Sequence, residues 1–230
     1  MGKPNTAAVA LFDVDGTLID SSSLWAAIPG EYLHLRGIAP KENIAEKFFE
    51  LGYSNTARYL VQHYLPNEDP YAIMDSFCHI AAQKYIEGVS EKPFAARYLE
   101  TLKGKNIRCF AVTSNMKEIV FPALKQLHMT DSIDDIISIY DIGIDKRTPH
   151  FYHYIAEQLQ VAEEQCVVFE DALFAPASAK RANMYVVGIY DKNAESDWGD
   201  MQCTADRTIL SFEELFLDDV FEQVKPDGNI

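Results

Sequence analysis

Positive charge is scarce in this sequence: 20 lysines and arginines stand against 35 aspartates and glutamates, a formal net charge of -15. Such a balance repels polyanions, and no local basic stripe offsets it, so nucleic acid and anionic membrane surfaces are excluded as partners. Cysteine is scarce too. Cys78, Cys109, Cys166 and Cys203 are scattered without CxxC pairing and are too few to staple 230 residues, which reads as reduced thiols and a cytoplasmic location. No apolar run approaches the roughly 20 residues of a membrane span. The N-terminal apolar stretch, Ala7 to Leu11, is too short for a secretory signal and lacks a cleavage pattern. Internal repeats and low-complexity tracts are missing as well, which removes solenoids and disorder from consideration.

What is present is the composition of an ordinary globular protein, long enough for a core domain carrying a smaller one. Acidic groups at Asp131, Asp134 and Asp135, and at Asp218, Asp219 and Glu222, read as solvated faces. Continuous apolar runs at Ala7 to Phe12, Ile107 to Val112, Cys166 to Phe169 and Tyr185 to Tyr190, with a weaker one at Ile136 to Ile139, have the pattern of strands buried on both faces. Between them, Ala95 to Leu102, Ile119 to Leu127 and Phe151 to Leu159 carry apolar residues at helical spacing, the second with a potential kink at Pro122. Alternating strands and helices predict an α/β fold with a doubly wound, Rossmann-like parallel sheet. From Ser21 to about Ser90 the chain changes to long amphipathic stretches without a strand. We therefore expect a core of residues 1–19 and 91–230 and an inserted α-helical cap of residues 20–90, placed to act as a lid.

Ligands in open α/β sheets bind beyond the carboxyl ends of the strands, so the residues following each apolar run are the informative ones. The first run delivers Asp13-Val14-Asp15-Gly16-Thr17, two carboxylates on one side of an extended chain before a turn that Gly16 permits. Taken alone, this is an acidic turn, a fragment of a calcium loop, or a nucleophile beside an acid. A carboxylate can displace an alkoxide from phosphorus only when the phosphate charge is neutralised and the leaving oxygen is protonated, which requires a metal and an acid. The second run ends in Thr113-Ser114-Asn115, which suits either an anion at a helix N-terminus or an ordinary helix cap. Lys146 and Arg147 precede Pro149 at a helix start, as catalytic cations or as a solvated charge pair. The Cys166 run ends in Glu170-Asp171. His150 and His153 lie on a predicted helix without a third ligand and read as surface residues.

An apolar strand followed by DxDGT resembles the first motif of the haloacid dehalogenase superfamily. Thr113, Lys146 and the Glu170-Asp171 pair match its second, third and fourth motifs in order. Two departures stand out: Asp145 and His150 occupy places where the family usually has Gly and Asp, and Ala172 to Ala175 lacks the usual glycine. The resemblance implies a phosphatase for a small phosphorylated metabolite, with Asp13 as nucleophile and Asp15 as acid and base. Phosphate would be held by Gly16, Thr113, Ser114, Asn115 and Lys146. It implies Mg²⁺ as cofactor, bound through Asp13, Asp15 (by its backbone carbonyl), Glu170 and Asp171, and a monomer or weak homo-oligomer. Similar sugar phosphomutases carry a His five residues after the position of Asp20. Trp25 stands there, which favours hydrolysis over β-phosphoglucomutase-like transfer, and the intact acidic set argues against a silent phosphate-binding regulator. In the insertion, Trp25, Tyr32, Phe48 and Phe49 read as packing residues, while Arg36, Lys41, Lys47 and Arg58 are either solvated or available to a second anionic group.

Overall fold

In chain order the elements are β1 (Val9–Phe12), α1 (Ser22–Leu35), α2 (Ile44–Leu51), α3 (Tyr53–His63), α4 (Pro70–Glu87), α5 (Ala95–Gly104) and β2 (Arg108–Thr113). They continue with α6 (Lys117–Gln126), β3 (Asp135–Ser138), α7 (Ile139–Ile142), α8 (Pro149–Leu159), β4 (Cys166–Glu170), α9 (Phe174–Arg181), β5 (Tyr185–Ile189), α10 (Trp198–Thr204) and β6 (Arg207–Ile209). The computed structural model describes residues 8–222, without the side chain of Glu222. Ala7 and the residues before it, where the first apolar run and the search for a targeting signal begin, lie outside that range. No helix among the described residues is long and apolar enough to cross a membrane.

The chain divides into two compact units, one of residues up to Asp20 and from Ser90 onward, the other of Ser21–Val89. In the first, six parallel strands form one sheet in the order β3-β2-β1-β4-β5-β6. The chain goes from β1 to β2 and β3 on one side, then crosses to β4, β5 and β6 on the other. That reversal opens a crevice beyond the ends of β1 and β4. All four β1 residues are buried, the condition of a central strand covered on both faces. Alternation sends Val9 and Leu11, with Phe110, Val112, Val168 and Val186, into a layer closed by Phe151, Tyr152 and Ile155 of α8. Phe12 lies on the other face, stacked on Phe169 at 4.3 Å and edged by Tyr98 of α5.

The expected strands and helices of the core are all present, within two residues of the sequence reading. Pro122 sits inside α6, which runs on through it. The sixth strand, Arg207–Ile209, has no apolar run to announce it; it is a three-residue edge strand, secured by Arg207 on the Asp218 carboxylate at 2.8 Å. Several acidic residues read as merely solvated have structural partners. Asp134 accepts the Cys109 N–H at 2.8 Å, Asp135 pairs with Lys117 at 2.7 Å, and Asp219 pairs with Lys105.

The second unit is four helices and no strand. Asn43 accepts the Ala45 and Glu46 amides at the start of α2, and Asp69, ahead of Pro70, caps α4. Tyr32, Leu33, Leu60 and Phe77 are buried within it. Trp25 donates its indole N–H to the Tyr85 hydroxyl at 2.9 Å and meets Tyr53 edge-on. Phe49, by contrast, is 46% exposed and does not fill the interior. Arg36 pairs with Glu68 at 3.0 Å, Lys47 with Glu50 at 2.6 Å, and Arg58 donates to Asn55. Three of the four cations therefore have partners inside their own unit.

Candidate active site

Asp13 is the first residue beyond β1, and its amide extends the ladder by one step, donating to the Phe169 carbonyl at 2.9 Å. Glu170 is the last residue of β4. Because Phe12 and Phe169 are register partners, the next residue on each strand, Asp13 and Glu170, emerges beside the other at the switch point. Asp171 completes a group of three carboxylates that each offer an oxygen within 4.8 Å of the others. Lys146 reaches this group from the loop between α7 and α8; its ammonium bonds Asp13 Oδ1 and, at 2.9 Å, Glu170 Oε2.

The same loop accounts for one departure from the family pattern. Asp145 accepts the Arg147 backbone amide at 2.9 Å and grips its guanidinium with both oxygens, an Asx-type turn that sends Arg147 to solvent. Arg147 holds the Asp145 carboxyl below its ordinary range. The two cations thus separate: Arg147 is a solvated ion-pair partner, and Lys146, only 3% exposed, is the cation of the site.

Gly16 follows Asp15 at φ 90°, a conformation that would strain any side chain, and its amide closes a turn on the Ile19 carbonyl at 2.8 Å. Thr17, in that turn, donates to Asp171 Oδ1 at 3.0 Å. Asp15 does not join the three-carboxylate group: its carboxylate accepts the Asn115 amide at 3.4 Å. A ligand role for Asp15 through its side chain is therefore not supported by this arrangement, which leaves the backbone carbonyl. Thr113 is the buried last residue of β2, and its hydroxyl accepts the Asn115 N–H at 2.9 Å. Asn115 accepts the Met116 amide with its side-chain oxygen, so its polar groups help orient the Asp15 loop. Ser114 is exposed. None of these three is the cap of α6, a place taken by Met116 without a side-chain bond. His150 and His153 are on α8 as expected, with His153 bonded to Glu163 at 2.8 Å.

Electrostatics mark the acidic group as incomplete by itself. Burial and then the Glu170 charge push the Asp13 carboxyl well above its ordinary range against the pull of Lys146. Burial, Glu170 and Asp191 push Asp171 up to about 8. Burial works against the Lys146 ammonium, yet Asp13 and Glu170 outweigh it and keep it protonated. Three carboxylates facing one ammonium leave negative charge in excess, and Asp13 Oδ2 is buried without a hydrogen-bond partner. An orphaned carboxylate oxygen in an all-oxygen donor set fits a hard divalent cation.

Sequence reading missed two features near the site. One is the Thr17 bond to Asp171, although Thr17 belongs to the DxDGT signature. The other is a buried ion pair: Lys92 donates to the Tyr190 carbonyl at 2.9 Å and to Asp191 at 3.1 Å. The backbone of Lys92 also bonds Leu18, and that of Asp20 bonds Ser90, so the outgoing and returning linkers lie side by side. No local pattern announces a pair separated by 99 residues.

A carboxylate and a lysine thus meet at the switch point of a 3-2-1-4-5-6 parallel sheet, with two further carboxylates beside them. The chain belongs to the haloacid dehalogenase-like hydrolase family, whose model matches residues 10–189. It is 25% identical over 188 residues to validoxylamine A 7'-phosphate phosphatase of Streptomyces hygroscopicus subsp. limoneus, covering 79% of this chain and 84% of the relative. It is 26% identical over 193 residues to hexitol phosphatase A of Escherichia coli, covering 81% and 83%. The β-phosphoglucomutase structure of Clostridium difficile superposes with a TM-score of 0.71 at 18% identity, covering 95% of this chain and 97% of that one, a likeness of fold. The chain is thus an enzyme that keeps company with phosphoric monoester hydrolases.

Proposed function

We propose that this protein is a Mg²⁺-dependent phosphatase that hydrolyses a small phosphorylated sugar or polyol through a phospho-aspartyl intermediate on Asp13. The observation that carries this reading is the buried Asp13, bonded to Lys146 by one oxygen and unpartnered at the other, beside Glu170 and Asp171. Phosphatase names among the relatives support the reaction type, and hexitol phosphatase A supports the substrate class.

Mg²⁺ held by Asp13, Glu170, Asp171 and the Asp15 carbonyl would neutralise phosphate oxygens and the crowded carboxylates together. Asp13 attacks phosphorus in line, while Lys146 balances charge on the equatorial oxygens and Thr113 adds a hydrogen bond. Asp15, steered by Asn115, protonates the departing oxygen and then takes a proton from the water that releases phosphate. Thr17 keeps Asp171 in place. The helical unit, whose linkers leave and return just beyond β1, selects the leaving group and excludes water as a lid.

Phosphomutase chemistry is the second reading, favoured by the fold likeness to β-phosphoglucomutase. Against it, Trp25 holds the position of the mutase histidine, and its indole N–H is used on Tyr85. The deciding experiment is phosphate release from a panel of phosphorylated sugars and polyols, with and without Mg²⁺, for wild type and Asp13→Asn. Metal-dependent release by wild type alone is expected. Release that survives Asp13→Asn removes Asp13 as nucleophile, and conversion between sugar phosphate isomers with little free phosphate favours the mutase.

A further inference from the structure

The stretch Ala172 to Ala175, where the family glycine is missing, contains a phenylalanine in an unusual place. Phe174 opens α9 three residues after Asp171, and its ring is 45% exposed although a core sheet lies beneath the helix. Its centroid is 5.7 Å from the Lys146 ammonium, within range of a cation-π contact. The same ammonium is bonded to Asp13 and Glu170, so the ring borders the site where phosphorus would be attacked.

That position is fixed from below. Ser178, one helical turn later and on the same face as Phe174, is fully buried and donates its hydroxyl to the Arg147 carbonyl at 2.6 Å. Ala175 and Ala179 bury the neighbouring stripe of the helix. α9 is thereby tied to the loop that carries Lys146, and Phe174 overhangs that loop. One part of the ring lies toward the ammonium. Among the described residues, nearly half of Phe174 is left exposed.

We propose that Phe174 is a specificity-determining residue, a platform on which the C–H face of a cyclic leaving group stacks while its phosphate sits on Asp13 and Lys146. This rests on the phosphatase reading and narrows it to sugar or cyclitol phosphates with a flat C–H face. An aromatic surface attracts C–H groups through its negative π face and gains by being removed from water. A phosphoryl donor with no ring gains nothing from it.

The test compares Phe174→Ala and Phe174→Tyr with wild type on glucose 6-phosphate and on acetyl phosphate, both with Mg²⁺. Loss of the stacking contact is expected to raise KM for glucose 6-phosphate about three- to tenfold with kcat within about twofold. Phe174→Ala should raise the glucose 6-phosphate KM at least about threefold more than it changes either constant for acetyl phosphate, and Phe174→Tyr restores the glucose 6-phosphate KM. Equal losses on the two substrates, or a fall in kcat alone, would mean that the ring acts on Lys146 and would overturn the proposal. So would a wild type that hydrolyses acetyl phosphate but not glucose 6-phosphate. A wild type that releases phosphate from neither would instead sink the phosphatase reading itself.

Discussion

Asp13→Asn should destroy turnover and stabilise the metal-free protein. The substitution keeps the side-chain shape and removes one buried negative charge. Asp13, Glu170 and Asp171 offer oxygens within 4.8 Å of one another, and at an effective dielectric constant of ~20 each such approach costs about 3.5 kcal/mol. Once all three are ionised, above about pH 8 where Asp171 has lost its proton, two repulsions of this size slightly exceed the attraction to a single ammonium at hydrogen-bond distance, roughly 6 kcal/mol on the same scale. Desolvation of the Asp13 carboxylate adds several kcal/mol in the same direction. Lys146 still has Glu170 at 2.9 Å in the variant, so it is not left unpaired. A net gain on the order of 2 kcal/mol in a chain of this length raises Tm by about 4–8 °C. Thermal melting in EDTA above about pH 8, where Asp171 has given up its proton, reads this directly. Mg²⁺ should then close the gap, since a ligand at ~100 times its Kd adds about 2.7 kcal/mol to wild type, while the variant has lost a ligand charge. Asp13→Asn melting at or below wild type in EDTA would refute the claim that the acidic group is self-repulsive.

Metal-free wild type should lose stability as pH rises from about 4 toward about 8. Asp171 binds its proton up to about 8 in the fold against 3.8 ordinarily, so the folded state holds more protons across that window. Melting in EDTA at stepped pH checks the sign, and Mg²⁺ should flatten the curve. Lys92→Met takes the cation away from the buried Asp191 carboxylate, a loss of roughly 3–5 kcal/mol. Urea unfolding of this variant beside Lys92→Met/Asp191→Leu, which should recover most of the loss, distinguishes a buried ion pair from simple packing. Gly188→Ala places a methyl 2.7 Å from the Met201 side chain, an overpacking cost of about 1–3 kcal/mol visible in the same assay. Full stability there would mean that Met201 moves freely.

Much of this architecture is legible because its signals are local. β1, β2, β4 and β5 are apolar runs, and Asp13, Thr113 and Glu170 stand where those runs stop. Lys146 was legible as a cation but not as the buried one. Only the folded chain shows Asp145 building the turn that turns Arg147 outward. β6 escaped because Arg207 and Thr208 give an edge strand no hydrophobic signature, pairing on one side being enough to form it. Lys92 with Asp191, Thr17 with Asp171 and Asn115 with Asp15 depend on which distant segments meet, and no periodicity encodes that. Phe174 carries no local signal within the Ala172 to Ala175 stretch. Its meaning comes from its proximity to Lys146.

The stacked rings of Phe12 and Phe169 have a consequence for divergence. They are register partners on adjacent strands, and Asp13 and Glu170 are the next residues of those strands. The separation between Asp13 and its neighbouring carboxylate is therefore inherited from the sheet's own repeat of about 4.8 Å. Loops and helices can be lengthened, replaced or reshaped around it without moving those two anchor points. Selection can rewrite the 69 residues between Ser21 and Val89, while the pitch of a hydrogen-bonded ladder keeps those two carboxylates in gauge.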